Sequence, residues 1–248
     1  MEAARVSALR GHKVTLWEKT GALGGNLIPA AVPAFKDDYK LLIDYLCTQI
    51  RKLKVTVEFE KEGTPELIQQ LGPDAVFIAT GATHIIPEVK GIEKAMKTGR
   101  VVTAVDALLG KKELGEVVIV MGAGLIGCET ALHLAQRGKK VTIAGGRRLA
   151  HDLVWGNALD LIKLLDDHHV RIFRNNHIRS LGEGGADSAS HHFEGDSMVL
   201  AVGMKSIAGV SPESLEGKVP EVYAIGDCVR PRHVLDAMWE GYRTAYVI

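Results

Sequence analysis

Gly122, Gly124 and Gly127 stand at the spacing GxGxxG in the stretch EVVIVMGAGLIG, directly after the apolar run 117–120. Glycines so placed let a strand turn sharply into a helix. They also let backbone lie against a pyrophosphate, whose charge meets the unpaired amides of the helix N-terminus. The amides of Leu125 and Ile126 are the donors of such a turn. A helical pattern ending at Gly138 and a β-like run at 140–143 follow in the order the motif requires, so the segment reads as a dinucleotide-binding βαβ unit. Past that second strand come Gly145, Gly146, Arg147 and Arg148. An acidic residue at 145 would hold a ribose 2′-hydroxyl and repel a 2′-phosphate; glycine removes the repulsion, and a nearby guanidinium can pair with the phosphate. NADP is therefore expected ahead of NAD, the bland alternative being arginines that cap a solvated loop.

The elements that hold these residues occur twice. Residues 1–18 (MEAARVSALRGHKVTLWE) repeat residues 128–145 at an offset of 127, with eight of eighteen positions identical. Ala4, Ala8 and Gly11 repeat Ala131, Ala135 and Gly138: small residues where a helix lies close on a sheet, then a glycine suited to the left-handed helix cap. Val14, Leu16 and Trp17 form the second strand of the first copy, which runs into Glu18 and Lys19. A carboxylate at that strand end accepts hydrogen bonds from an adenosine ribose. Met1 aligns with Cys128, so the first copy begins one residue after its expected last glycine. The fold class expected is α/β, with two interleaved Rossmann-like dinucleotide-binding folds, the first lacking its opening strand and glycine loop. A wrongly placed start or a gene fragment would account for such an N-terminal truncation. The missing strand would be the central one of its parallel sheet, leaving its neighbours without a hydrogen-bond partner.

Composition narrows the function classes. Lys and Arg (30) balance Asp and Glu (30), so no global field draws the chain to nucleic acid or to an anionic membrane. Aromatic residues at 5% disfavour a stacking-based nucleic-acid binder, and no apolar run approaches the ~20 residues that span a bilayer. The N-terminus lacks the apolar core of a signal peptide, and a cytoplasmic location is the default expectation. Cys47, Cys128 and Cys228 are scattered, with no CxxC or CxxxxC, which excludes a paired dithiol site, a zinc site and an iron–sulfur cluster within these residues. The pairs His168-His169 and His191-His192 lack cysteine or carboxylate partners at metal spacing, so no metal is expected.

Along the chain, residues 21–35 form a turn-rich loop carrying Gly24 and Gly25, and 39–52 has a helical period. A strand at 55–59, a short helix at 65–71 and a buried strand at 75–79 lead to Ala79-Thr80-Gly81. After the second copy come a helix near 157–167, a strand at 170–173, a polar Gly/Ser/His-rich stretch at 180–196, a strand at 198–202, and a terminal strand at 222–225 with a helix from about Leu235. The domains expected are 1–112 with 204–248, and 113–203.

Five pieces in fixed order carry a family resemblance: LGG at 23–25, ATG at 79–81, GAGLIG at 122–127, AVGM at 201–204 and YAIGDC at 223–228. They resemble the C-terminal half of bacterial flavin oxidoreductases related to old yellow enzyme, the group of 2-enoate reductase, 2,4-dienoyl-CoA reductase and trimethylamine dehydrogenase. The resemblance covers nearly the whole chain. It implies FAD on the first fold and NADP or NAD on the second, with hydride passing from NAD(P)H to FAD. Electrons would continue to an upstream barrel carrying FMN and a 4Fe–4S cluster, where activated alkenes of enoate or enoyl-CoA type are reduced. Gly226 and Asp227 would then meet the flavin ribitol, Gly24 and Gly25 the isoalloxazine side, and Ala79, Thr80 and Gly81 the crossover between folds. Gly203 of AVGM would be a further cofactor-binding residue, and Glu129 would lie toward the nicotinamide. No catalytic acid or base is implied, since the two cofactors carry the chemistry. The stretch 175–198 looks short and polar for the hairpin that completes the nicotinamide fold. The rival readings are a non-catalytic nucleotide-binding scaffold and an inactive remnant.

Overall fold

The structure, a computed structural model, describes residues 1–248. The chain runs through α1 (Glu2–Leu9), β1 (Thr15–Trp17), α2 (Leu27–Ala30), α3 (Asp37–Lys52), β2 (Thr56–Glu58), α4 (Pro65–Leu71) and β3 (Ala75–Ile78). It continues with β4 (Ala82–His84), α5 (Ile92–Lys97), β5 (Val101–Thr103), α6 (Ala104–Leu108), β6 (Val117–Met121), α7 (Leu125–Gln136), β7 (Lys140–Gly145), α8 (Trp155–Asp167) and β8 (Arg171–Arg174). The last elements are β9 (Ser180–Gly182), β10 (Gly185–Asp187), β11 (His192–Glu194), β12 (Ser197–Leu200), β13 (Met204–Ser206), β14 (Glu221–Ala224) and α9 (Val234–Val247). Two compact units result: Met1–Ala31, Lys36–Thr83 and Met204–Ile248 in one, Val32–Phe35 and His84–Gly203 in the other.

The second unit is built on a five-stranded parallel sheet in the order β5-β12-β6-β7-β8. Strand alternation divides its core between two faces. Val118, Val120 and Ile143 pack with Leu132 of α7 and with Leu161 and Leu165 of α8. Ile119, Met121, Met198 and Leu200 pack instead with Ile92 of α5 and Phe193 of β11. Each fully buried Ile or Leu contributes about 1.5–3 kcal/mol relative to exposure, so this doubly covered sheet is the rigid platform of the site.

Two expectations are corrected here. Residues 84–112, assigned by pattern to the first fold, lie by contact in the second unit, because β5 pairs with β12 and α5 and α6 pack on the same sheet. The stretch 180–196 is no short polar connection. It is the three-stranded antiparallel sheet β9-β10-β11, which lays Leu181, Ala186 and Phe193 on the core and leaves the intervening polar residues outside.

The first unit holds its strands as separate parallel pairs, β1 with β2 and β3 with β14, while β4 pairs with β13. Helix α4 begins where Thr64 accepts the Leu67 amide and Pro65 needs no donor of its own. Helices α1 and α9 enclose a small core of Ala3, Val6, Ile225 and Ala245 with Phe77 beside it. No strand joins the β1–β2 pair to the β3–β14 pair, the gap foreseen from the repeat register.

Candidate nucleotide sites

In the second unit the glycines are required by contact as well as by turn geometry. Gly122 has φ +121°, and a Cβ there would lie 2.2 Å from the Ala201 carbonyl oxygen at the end of β12. A Cβ on Gly127 would lie 2.2 Å from the Gly122 carbonyl oxygen. Strand β6, the turn and helix α7 are thereby locked together. Gly124 caps α7 without a side-chain bond, and the Ile126 side chain is exposed at the first turn. The Leu125 amide donates to the Asp152 carboxylate at 3.0 Å. The first-turn amide of this helix thus meets an anionic oxygen from the protein itself, as unpaired amides at a helix N-terminus favour.

Gly145 lies beside the same turn, and a Cβ on it would come within 2.8 Å of the Ala123 nitrogen. No acidic side chain fits there without moving the turn, a constraint that sequence alone did not show. Arg147 and Arg148 are exposed just beyond and line a cavity of about 570 Å³ with Leu149, His151, Trp155 and Arg174. Glu129 sits half-buried on α7, next to Cys128. The Cys128 thiol is buried and bonds to the Ala123 carbonyl, and burial pushes its pKa up to about 11, so it packs the helix rather than reacting. Gly203 ends the unit, and its carbonyl accepts the Ile85 amide.

In the first unit, the register Ala224↔Ile78 puts the two strand ends side by side. Ala79, Thr80 and Gly81 leave β3 there, and Gly226 and Asp227 leave β14, so both motifs emerge at the carboxyl ends of adjacent parallel strands, where nucleotides bind in such sheets. Burial raises the Asp227 carboxyl above its ordinary range, against the opposing effect of the Arg232 amide on Oδ1. Glu18 ends β1 and accepts both the Thr20 amide and its hydroxyl, at 2.8 and 2.7 Å; Lys19 is exposed. Gly24 and Gly25 lie just before α2, and Asn26 donates its amide to the Ala82 carbonyl at 2.8 Å, tying that loop to the strand after Gly81.

Three residues outside the motifs were not visible in the sequence. Asp152 caps α7, Arg174 joins the cavity, and Glu240 of α9 accepts the Gly226 amide at 2.7 Å while pairing with Arg232. Each contact crosses between separate elements, so no local pattern announces it. Arg232 chiefly holds Glu240 below its ordinary pKa, and the bond the Glu240 carboxylate accepts from the Gly226 amide ties the Gly226-Asp227 turn to α9. The first unit brings the carboxylates of Glu18 and Asp227 to strand ends, and the 248 residues of the chain hold the GxGxxG spacing once, in the second unit. No group of three or more His, Cys, Asp or Glu side chains is placed to hold a metal, and no helix is long and apolar enough to cross a membrane.

Residues 1–241 match the family described as pyridine nucleotide-disulphide oxidoreductase. The chain is 35% identical over 253 residues to cinnamate reductase of Clostridium sporogenes, covering 99% of this chain and 37% of that protein. It is 32% identical to NADH oxidase of Thermoanaerobacter brockii, covering 100% of this chain and 39% of the relative. The solved structure of a 2-naphthoyl-CoA reductase with 2-naphthoyl-CoA superposes with a TM-score of 0.92 at 30% identity, over 100% of this chain and 38% of that one. The chain thus spans about two fifths of the length of these relatives.

Proposed function

The chain belongs to the pyridine nucleotide-disulphide oxidoreductase family, and we propose that it is the reductase module of a longer cytoplasmic flavin enzyme. It accepts hydride from NADPH onto FAD and passes electrons to an upstream barrel with FMN and a 4Fe–4S cluster, which reduces activated alkenes of enoate or enoyl-CoA type. The names of the cinnamate and 2-naphthoyl-CoA reductases support that substrate class, and their greater length supports the upstream partner. The observation that carries the reading is the glycine cradle at α7, where Gly122 and Gly127 leave no room for a Cβ, with Arg147 and Arg148 just beyond β7. Within these residues the three cysteines are free and none is paired with another, so disulfide exchange is not the chemistry proposed.

FAD and NAD(P)H supply hydride transfer when bound; the chain's own residues place them. The second unit, 84–203, holds NADPH through Gly122, Gly124, Leu125, Ile126 and Gly127, with Glu129 toward the nicotinamide side and Arg147 and Arg148 on the 2′-phosphate. The first unit holds FAD through Glu18, Lys19, Gly24, Gly25, the 79–81 turn, Gly226 and Asp227, and Gly203 marks the return of the chain. NADPH is expected to bind tighter than NADH by roughly tenfold, on the order of 1.4 kcal/mol. Arg147→Ala with Arg148→Ala should remove that margin and leave NADH nearly unchanged in a binding titration. Equal losses for both nucleotides, or an initial preference for NADH, would refute the assignment of the arginines.

A further inference from the structure

The cavity beyond β7 gathers three arginines from two segments: Arg147 and Arg148 after β7, and Arg174 at the end of β8. Gly145 and Arg174 are register partners in the parallel pair β7–β8. The chain stays tied past the strand ends, since the Asn176 amide donates to the Gly145 carbonyl at 3.1 Å. No aspartate or glutamate lines the cavity, and none of the three guanidinium groups has a hydrogen-bond or ion-pair partner. Like charges drawn to one cavity wall without a counter-ion repel one another, and a bound dianion relieves that repulsion. Apart from His151 and Asn175 the remaining lining is apolar, with Trp155, Leu159 and Ile162 of α8, which suits the flat face of a purine.

We propose that Arg174 is a specificity-determining residue of this site, the third cation on an adenosine 2′-phosphate, contributed by the strand next to the one that carries Arg147 and Arg148. The inference rests on the proposed NADPH reading and extends it to a position no glycine motif marks. With Gly145 lacking a side chain, nothing from β7 stands at the strand end beside Arg174, so its guanidinium can reach toward the same phosphate. Arg174 is exposed and contributes little to folding, which keeps its variants interpretable.

The test titrates the protein with 2′,5′-ADP and with 5′-AMP by calorimetry, without any flavin or turnover. Arg174→Ala should weaken 2′,5′-ADP about tenfold and leave 5′-AMP unchanged, with Arg174→Lys restoring part of the loss. If Arg147→Ala with Arg148→Ala weakens 2′,5′-ADP while Arg174→Ala does not, Arg174 has no such role and the NADPH reading stands. If the unsubstituted protein binds 2′,5′-ADP no better than 5′-AMP, the 2′-phosphate reading and this inference fall together. Equal weakening of both probes by Arg174→Ala would also overturn the inference, because it would place Arg174 on the shared part of the nucleotide.

Discussion

Gly122→Ala should destabilise the second unit by about 3 kcal/mol or more and abolish binding of NADPH and NADH alike. The added Cβ would lie 2.2 Å from the Ala201 carbonyl oxygen and 2.6 Å from its carbon, in a backbone conformation of φ +121° that alanine rarely adopts. Neither atom can yield, because Ala201 follows β12 and its amide donates to the Met121 carbonyl at 2.8 Å. Gly146→Ala is the matched control: nothing lies within 4 Å of its Cβ, and its effect should stay within about 0.5 kcal/mol. Denaturant unfolding and nucleotide titration of the two variants read both effects. A Gly122→Ala protein as stable and as tightly binding as Gly146→Ala would show that the turn is not packed as described.

The second large effect concerns FAD. The 248-residue polypeptide produced alone should retain it weakly, because on the proposed reading Glu18 and Asp227 would meet only sugar hydroxyls while no glycine turn of the first unit would receive the phosphates. The β1–β2 and β3–β14 pairs also remain unjoined. Placing about twelve residues patterned on 116–127 ahead of Met1 supplies both a strand and the phosphate amides. FAD should then bind roughly a hundredfold tighter, a difference of ~2.7 kcal/mol. Stoichiometric FAD carried through gel filtration by the unextended polypeptide would contradict this.

Much of the second unit was legible because β6, the glycine turn, α7 and β7 are contiguous and each declares itself locally. The repeat then exposed α1 and β1, which no motif marks. The parts not legible are short or depend on distant partners. β5 has only three residues, Val101–Thr103, and is a strand because β12 lies beside it. The β9–β11 sheet reads as polar because its strands bury so few side chains, Leu181, Ala186 and Phe193 among them, against the parallel sheet. Gly145 could be read as a missing acid, but its need for glycine comes from Ala123, twenty-two positions away in sequence. Asp152, Arg174 and Glu240 belong to the same class: their roles are set by what the fold brings to them.

The central claim is that this chain carries hydride from a reduced nicotinamide to a flavin. Its most direct test mixes NADPH, without oxygen, with the extended polypeptide carrying FAD and follows the visible flavin absorbance. The account predicts that the yellow colour bleaches, and that NADPH achieves this at lower concentration than NADH. Retention of FAD together with demonstrated binding of NADPH, but with the flavin absorbance unchanged, would contradict the account and leave the module a nucleotide-binding scaffold.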